Sequence, residues 1–201
     1  MTPLFALLIA YLLGAVPFGY LLVKWKTGQD VRSSGSGNIG ATNVLRTTGR
    51  AAGIVTLLLD IAKGFVAVWV AARLTDSSPL WTSMAALAVM AGHAFPVFLK
   101  FRGGKAVASF IGAFLYLAPL PLVAVLAVFV VVVAVTRYIS LGSILASGSF
   151  PLAVWWMSHP PAPVVWAAAI AGLFVVARHH QNIARLAKGA EHKFSLGGKK
   201  S

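Results

Sequence analysis

The chain has 201 residues, of which 59% are hydrophobic and only 10% are charged. Soluble domains carry about 25% charged residues, so this composition argues against an ordinary soluble fold. Seventeen Lys and Arg against four Asp and Glu give a net charge of +13, and the mean hydropathy is +0.85. Together these values argue against a nucleic-acid-binding protein and indicate a membrane protein with a basic cytoplasmic side. No cysteine is present, which excludes disulfides and thiolate zinc sites.

Seven apolar stretches predict transmembrane helices, which need about 20 residues to cross a bilayer. They cover residues 3–23, 51–72, 80–98, 106–118, 120–135, 143–157 and 163–177. The first stretch lacks the basic start of a signal peptide, and its first cations follow it, so we expect a retained span with the N-terminus outside. The sequence therefore predicts an all-α, polytopic integral membrane protein, folded as one domain over residues 1–201.

The apolar run over residues 106–135 fits either one long helix or two short ones. Pro119 and Pro121 lie in its middle, where each removes a backbone donor and obstructs a continuous helix. With two helices, all but two of the 17 Lys and Arg lie on the cytoplasmic side or in the cytoplasmic tail, as the positive-inside rule expects. One helix would move Arg137 and the basic tail outside. We therefore predict seven spans and a cytoplasmic C-terminus.

The first polar segment covers residues 30–46 and contains the run GSGNIGATNVLR. Its glycines allow backbone N–H groups to converge, its hydroxyl and amide side chains add donors, and Asn38 or Thr42 is expected to open a helix that carries Arg46. Such an arrangement suits a phosphate group. The alternative is a flexible interfacial loop whose Ser and Asn residues only form turns.

The second segment, GHAFPVFLKFRGGKAVA, covers residues 92–108. Gly103 and Gly104 precede Lys105 at the start of a span, which combines a glycine turn, a helix N-terminus and a cation. The first glycine and the final Ser or Thr of an ATP-binding P-loop are missing, so ATP is not implied. The alternative is that the cations only anchor the topology. His93 is expected to be a hydrogen-bonded structural residue rather than a ligand.

The third segment, RHHQNIARLAKGAEHK, covers residues 178–193. His179 and Asn182 are three residues apart, so a helix presents them on one face, where they can polarise or bind a hydroxyl group. No Asp, Glu or Cys stands at ligand spacing from the histidines, so we expect no metal. Glu191 is expected to be a structural salt-bridge partner. Ser143 is expected to cap the sixth span, on the same side of the membrane.

Asp60 and Lys63 lie within the second span, three residues apart, and are expected to pair with each other in a structural role, because an unpaired charge in a membrane is costly. The three polar segments all fall on the cytoplasmic side. They provide cations for two phosphates and no carboxylate placed as a general base. This pattern indicates group transfer between anionic substrates at the membrane surface.

The three segments, in this order and in seven spans, resemble the bacterial acyl-phosphate:glycerol-3-phosphate acyltransferases, the PlsY family, over essentially the whole chain. The resemblance implies transfer of a fatty acyl group from acyl phosphate to the sn-1 hydroxyl of glycerol 3-phosphate. The products would be lysophosphatidic acid and phosphate, in the first step of phospholipid synthesis at the bacterial inner membrane. No cofactor and no nucleic-acid partner are implied, and we expect a monomer.

The resemblance also assigns residues. It implies that Ser36, Arg46 and Lys105 bind phosphate, and that His179 and Asn182 bind glycerol phosphate near its reacting hydroxyl. Ser143 assists this pair, and the acyl chain lies between helices in contact with membrane lipids. The other expected substrate-binding residues are Gly37, Asn38, Gly40, Thr42, Asn43, Gly103 and Gly104.

Acyl phosphate is an activated mixed anhydride, so the protein needs mainly to position the substrates and neutralise charge. Either His179 or a substrate phosphate accepts the hydroxyl proton. We favour the phosphate, with direct attack and no acyl-enzyme. An organic-anion transporter is the main alternative, but inverted repeats and mid-membrane polar residues would be expected of it. A scaffold for other lipid enzymes would leave the three segments without a purpose.

Overall fold

The computed structural model describes residues 2–194, and within this range the chain is helical or irregular and contains no strand. The ten helices are α1 Thr2–Ala15, α2 Phe18–Thr27, α3 Ala41–Thr48, α4 Arg50–Leu74, α5 Pro79–Ala94, α6 Val107–Leu117, α7 Pro119–Thr136, α8 Ile139–Ser158, α9 Ala162–Arg178 and α10 His180–Ala187. Two short 3₁₀ turns, Val31–Ser33 and Val97–Leu99, lie in the loops. The all-α prediction is confirmed.

Five segments of the described chain are long and apolar enough to cross a membrane. They are Thr2–Thr27, Arg50–Leu74, Pro79–Leu99, Pro119–Thr136 and Ile139–Ser158. The pair α9 and α10, bent by 55°, makes a sixth if it counts as one span. Large apolar side chains such as Val135 and Trp156 are 79% and 80% exposed, which suits lipid rather than water.

Each of the seven predicted stretches is helical, but α6 is short. Its 11 residues reach about 17 Å, against a hydrocarbon core of about 30 Å. The number of complete crossings and their direction therefore stay predictions. The run over residues 106–135 forms two helices as predicted, because α6 ends at Leu117 and Pro119 opens α7, where its missing N–H costs nothing.

The described chain forms two compact units, over residues 2–117 and 118–194. In the first unit, α4 packs against α1, α3, α5 and α6, and α1 packs against α5. Glycines permit these close approaches: a Cβ at Gly112 would collide with the Ile61 carbonyl of α4, and one at Gly14 with the Val89 carbonyl of α5.

The first span is broken at Pro17, between α1 and α2. The helical hydrogen-bond pattern is interrupted here, and the Phe18 N–H donates at 3.2 Å to the Val16 carbonyl. Lys63 Nζ of α4 donates to it at 2.8 Å. A buried cation thus stabilises the break and joins it to α4.

In the second unit, α8 packs against both α7 and α9. Arg137 ends α7 in the left-handed conformation, with φ of +63°. The Phe194 N–H donates to the Arg137 carbonyl at 2.6 Å, and Arg137 Nε donates back to the Phe194 carbonyl at 3.1 Å. The residues that follow α10 are therefore tied to the turn between α7 and α8.

We predict that Gly112→Ala destabilises the protein, because the added methyl has no space against α4. Overpacking of this kind costs about 1–3 kcal/mol, and the melting temperature in detergent should fall accordingly. The matched control is Gly148→Ala in α8, where the nearest atom to an added Cβ is 3.9 Å away. Equal melting temperatures for the two variants would contradict the close α4–α6 contact.

Candidate active site

The loop before α3 is organised by one buried amide. Asn43 is 2% exposed, and its Oδ1 accepts a hydrogen bond from the Ser36 N–H at 2.8 Å. Its Nδ2 donates to three loop carbonyls, those of Val31 at 3.2 Å, Ser34 at 3.1 Å and Asn38 at 2.8 Å. The side chain of Asn43 therefore shapes the loop, and its predicted role as a substrate ligand stays a prediction.

The helix after this loop begins at Ala41, with Gly40 in the capping position. The prediction that Asn38 or Thr42 opens it is wrong. Asn38 Oδ1 instead accepts the Gly40 N–H at 2.8 Å, which makes a tight side-chain turn before the helix. Thr42 consequently lies within the first turn of α3.

The exposed part of the loop carries Ser36 and Gly37. Gly35 and Gly37 have φ of +61° and +69°, a region that favours glycine. Arg46 is exposed in the second turn of α3. One short stretch thus provides a hydroxyl, backbone N–H groups, a helix N-terminus and a cation, as predicted.

The first and second polar segments meet at one end of the first unit. Val31, Ile39 and Val44 of the first pack in a single buried cluster with Leu99 of the second and with Val23 of α2. These apolar side chains join the two loops and so bring together the segments that carry Ser36, Arg46 and Lys105. The sequence predicts that both segments lie on the cytoplasmic side of the membrane, which stays a prediction; their packing against each other is a finding of the structure.

The second loop is held by its own backbone. The Gly103 N–H donates to the Ala94 carbonyl at 3.2 Å, and the Gly104 N–H donates to the His93 carbonyl at 3.1 Å. Lys105 follows directly, and α6 begins two residues later. The order of glycines, cation and helix start is as predicted, but Gly103 and Gly104 form no turn, and the left-handed residues of this loop are Lys100, Phe101 and Ala106.

The predicted contacts of three buried polar residues are also observed. His93 is 3% exposed, and its Nδ1 lies 3.3 Å from Ser109 Oγ, so it is a hydrogen-bonded core residue. Asp60 and Lys63 are 2% and 5% exposed, and their Oδ1 and Nζ atoms lie 2.8 Å apart.

His179 and Asn182 lie in the second unit, at the bend between α9 and α10, and are 3% and 4% exposed. His179 Nδ1 lies 2.7 Å from the Val175 carbonyl. A carbonyl can only accept, so Nδ1 carries the proton, and Nε2 holds the lone pair when the ring is neutral.

Glu191 fixes the orientation of the Asn182 amide. Asn182 Nδ2 donates to Glu191 Oε1 at 2.7 Å, so the opposite side of the amide must be its oxygen. Within residues 2–194, this buried Oδ1 has no hydrogen-bond partner. An oriented acceptor suits a substrate hydroxyl, as the sequence predicts for this residue.

Glu191 itself is held by two further residues that the sequence analysis missed. Arg185 Nε donates to its Oε2 at 2.7 Å, and Ser140 Oγ donates to its Oε1 at 3.0 Å. The salt bridge confirms the predicted structural role of Glu191. The sequence feature that could have indicated the contact with Arg185 is Gly189, because this glycine, with φ of +65°, turns the chain back after α10.

Ser143 is buried, and its Oγ donates to the Ile139 carbonyl at 2.9 Å. The prediction that it caps its span is wrong, because α8 begins four residues earlier, at Ile139. Within the described residues, no group of three or more His, Asp or Glu side chains is arranged to hold a metal ion.

The fold and these loops define a polytopic membrane protein with donors suited to phosphorylated ligands. Residues 4–189 match the glycerol-3-phosphate acyltransferase family, and the chain belongs to that family, the PlsY family. The glycerol-3-phosphate acyltransferase of Syntrophotalea carbinolica is 47% identical, covering 94% of this chain and 95% of that protein. That of Trichlorobacter lovleyi is 49% identical, covering 92% and 94%.

The fold also matches solved structures. The crystal structure of PlsY (YgiH), an integral membrane glycerol 3-phosphate acyltransferase, in its glycerol 3-phosphate form has a TM-score of 0.92 and 36% identity. The alignment covers 97% of this chain and 96% of that one. The lysophosphatidic acid form gives a TM-score of 0.89 and 35% identity over the same shares.

We predict that the pH dependence of stability contains a contribution from Glu191. Burial of the carboxyl raises the pKa of Glu191, but hydrogen bonds from Asn182, Arg185 and Ser140 outweigh burial and lower that pKa overall. The carboxylate therefore stabilises the fold fully above its ordinary pKa of about 4.3, and this contribution is lost as the pH falls through the lower folded-state pKa.

The test compares melting temperatures of the wild type and Glu191→Gln between pH 7 and pH 3. The advantage of the wild type should stay constant down to about pH 5 and shrink below the ordinary glutamate pKa. Parallel curves over the whole range would show that the carboxylate is not held in its ionised form.

Proposed function

We propose that the protein transfers a fatty acyl group from acyl phosphate to the sn-1 hydroxyl of glycerol 3-phosphate. The products are lysophosphatidic acid and inorganic phosphate. The observation that carries the proposal is the family match over residues 4–189, which includes every expected catalytic residue. The likeness to a solved acyltransferase in glycerol 3-phosphate and lysophosphatidic acid forms supports this acceptor and this product.

The distribution of acidic groups supports an activated donor such as acyl phosphate. Asp30 is paired with Arg32, and Asp60 with Lys63. Glu191 accepts hydrogen bonds from three side chains. These carboxylates are occupied, and a mixed anhydride reacts with a hydroxyl when positioning and charge neutralisation are supplied.

The cations of the joined loops would supply that neutralisation. Arg46 and Lys105 belong to the two segments that pack together in the first unit, and Ser36 adds a hydroxyl and an exposed loop position. We propose that this group binds the phosphates of the substrates. The loop glycines would let backbone N–H groups approach the same oxygens.

His179 and Asn182 would bind the acceptor. The oriented Asn182 Oδ1 would accept a glycerol hydroxyl hydrogen, and His179 would present Nε2 to the same substrate. Ser143 is proposed to assist them. The hydroxyl oxygen forms the new bond to the acyl carbon, the bond from that carbon to the phosphate oxygen breaks, and the proton passes to a substrate phosphate.

The proposal also includes direct transfer of the acyl group and an active site on the cytoplasmic side of the membrane. No acyl-enzyme forms, the acyl chain lies among the helices, and a monomer suffices. The basic loops would face the cytoplasm of a bacterial inner membrane, in keeping with the positive-inside rule. Reaction at that face would yield a membrane-anchored product and a soluble phosphate.

The first test supplies the purified protein, in lipid, with acyl phosphate and glycerol 3-phosphate. We expect phosphate release that needs both substrates, lysophosphatidic acid as product, loss of turnover in Ser36→Ala, and no acyl adduct on Ser36 by mass spectrometry. Acyl-CoA and acyl-carrier protein serve as control donors. Turnover with acyl-CoA or acyl-carrier protein instead would show that the donor is not acyl phosphate. No turnover with any of these donors would favour an anion transporter, which a flux assay would detect.

We also predict that Arg46→Ala and Lys105→Ala each lower kcat/KM by about 100-fold or more, as expected when a charge-stabilising group is removed. The matched control is Arg73→Ala. Arg73 lies in the last turn of α4, about 35 Å along the helix from its start beside α3, and stacks on Trp69. It should change activity less than about twofold. Equal activity in all three variants would remove the phosphate-site assignment.

A further inference from the structure

We propose that His93 is a positioning residue that holds Lys105 in place through Gly104, and that Asp60, Lys63 and Ser109 hold His93. The proposal rests on the proposed function in one respect only, namely that Lys105 is a phosphate ligand. The buried polar cluster makes no contact with substrate in the mechanism above. Under this proposal it contributes to substrate binding indirectly, through Lys105.

The cluster is built from three helices of the first unit. Asp60 and Lys63 come from α4, His93 from α5 and Ser109 from α6, and each is at most 5% exposed. His93 Nδ1 lies 3.3 Å from Ser109 Oγ and 3.7 Å from Asp60 Oδ1. One edge of the imidazole is therefore within hydrogen-bond distance of Ser109 on α6 and lies near the Asp60 carboxylate on α4.

Lys63 anchors the cluster in turn. Its Nζ lies 2.8 Å from Asp60 Oδ1 and donates to the Val16 carbonyl at 2.8 Å, at the break between α1 and α2. It also lies 5.6 Å from the centre of the Phe18 ring. The carboxylate beside His93 is thus held by a cation that is itself fixed to the backbone of another helix.

The opposite edge of the imidazole touches the second loop. A Cβ at Gly104 would collide with His93 Nε2 and would lie 2.9 Å from Cδ2. The Gly104 N–H also donates to the His93 carbonyl at 3.1 Å. Ring and backbone of one residue therefore fix the position that immediately precedes Lys105.

The loop has no freedom to compensate on its other side. Ala106 is fully buried and has φ of +61°, which is strained for a residue with a side chain. Its carbonyl accepts the Phe110 N–H at 2.8 Å in the first turn of α6. Lys105 thus lies between two fixed residues, and loss of the His93 ring would release one of them.

Stability alone gives little reason for this cluster. Burying an ion pair costs desolvation energy that a well-packed apolar pair does not, and glycine contacts already join α4 to α6. Precise placement of a cation has a large kinetic value, since a displacement of about 1 Å can cost about 100-fold in rate. Positioning of Lys105 is therefore the use that the geometry favours.

The test is a double-mutant cycle of His93→Ala and Lys105→Ala, measured as kcat/KM in lipid with the donor that the wild type uses. We expect His93→Ala to lower kcat/KM by about 10- to 100-fold, and the double variant to match Lys105→Ala within about twofold. Effects that multiply would mean that His93 acts independently of Lys105 and would overturn the proposal.

The same cycle is measured for binding of glycerol 3-phosphate by calorimetry, which needs no turnover. His93→Ala should weaken binding in the wild-type background and not in the Lys105→Ala background. If acyl phosphate is not turned over but this coupling is found, the proposed donor fails and the positioning role stands. If Lys105→Ala leaves binding unchanged, the positioning role is overturned.

Two further variants separate positioning from folding. His93→Gln keeps a buried hydrogen-bonding side chain of similar length, should recover part of the lost activity, and replaces His93→Ala in the cycle if that variant does not fold. The matched control is Thr82→Val, at a buried site in the first turn of the same helix. The Thr82 Oγ1 donates to the Ser78 carbonyl at 2.8 Å. This variant should leave kcat/KM unchanged in both backgrounds, and an effect equal to that of His93→Ala would indicate a general packing defect instead.

Discussion

Backbone N–H and C=O groups that leave a helix inside a membrane protein must find partners within the protein, because the lipid offers none. In the first unit this requirement is met by side chains that reach across from other elements. Lys63 supplies a donor for the Val16 carbonyl where Pro17 breaks the first span, and the Asn43 amide bonds four backbone groups of the loop before α3. The Asn43 amide thus stabilises the irregular segment that carries Ser36, and Lys63 stabilises the break in the first span.

Local patterns allowed most of the helices and the interruption at Pro119 to be predicted, since hydrophobic length and proline position act within a few residues, but the break at Pro17 was missed. The pairing of Asp60 with Lys63 was predictable for the same reason, because residues three apart share a helix face. The errors at Asn38, Thr42 and Ser143 have a different origin: the start of a helix depends on small free-energy differences between alternative local hydrogen bonds, which residue type alone does not determine.

The role of Asn43 was not predictable from the sequence, because a buried amide that shapes a loop and an exposed amide that binds substrate have the same residue type. Contacts between distant positions were equally hidden. Ser140 meets Glu191 across 51 residues, and only the turn at Gly189 indicated that the chain returns. The packing of the first two polar segments against each other was also not predicted, and its physical cause is a shared apolar cluster of Val31, Ile39, Val44 and Leu99 with Val23.

The orientation of the Asn182 amide in the second unit follows from the ionised state of one carboxylate. Because Glu191 accepts from Arg185 and Ser140 as well as from Asn182, it remains an anion and can only accept. An anion at that position forces the Asn182 amide to turn its oxygen away, and a neutral amide oxygen can orient a hydroxyl without removing its proton. An aspartate at position 182 would be repelled by Glu191. The arrangement therefore favours binding of a hydroxyl over its deprotonation by Asn182 or Glu191, which accords with the proposal that the proton leaves on a substrate phosphate.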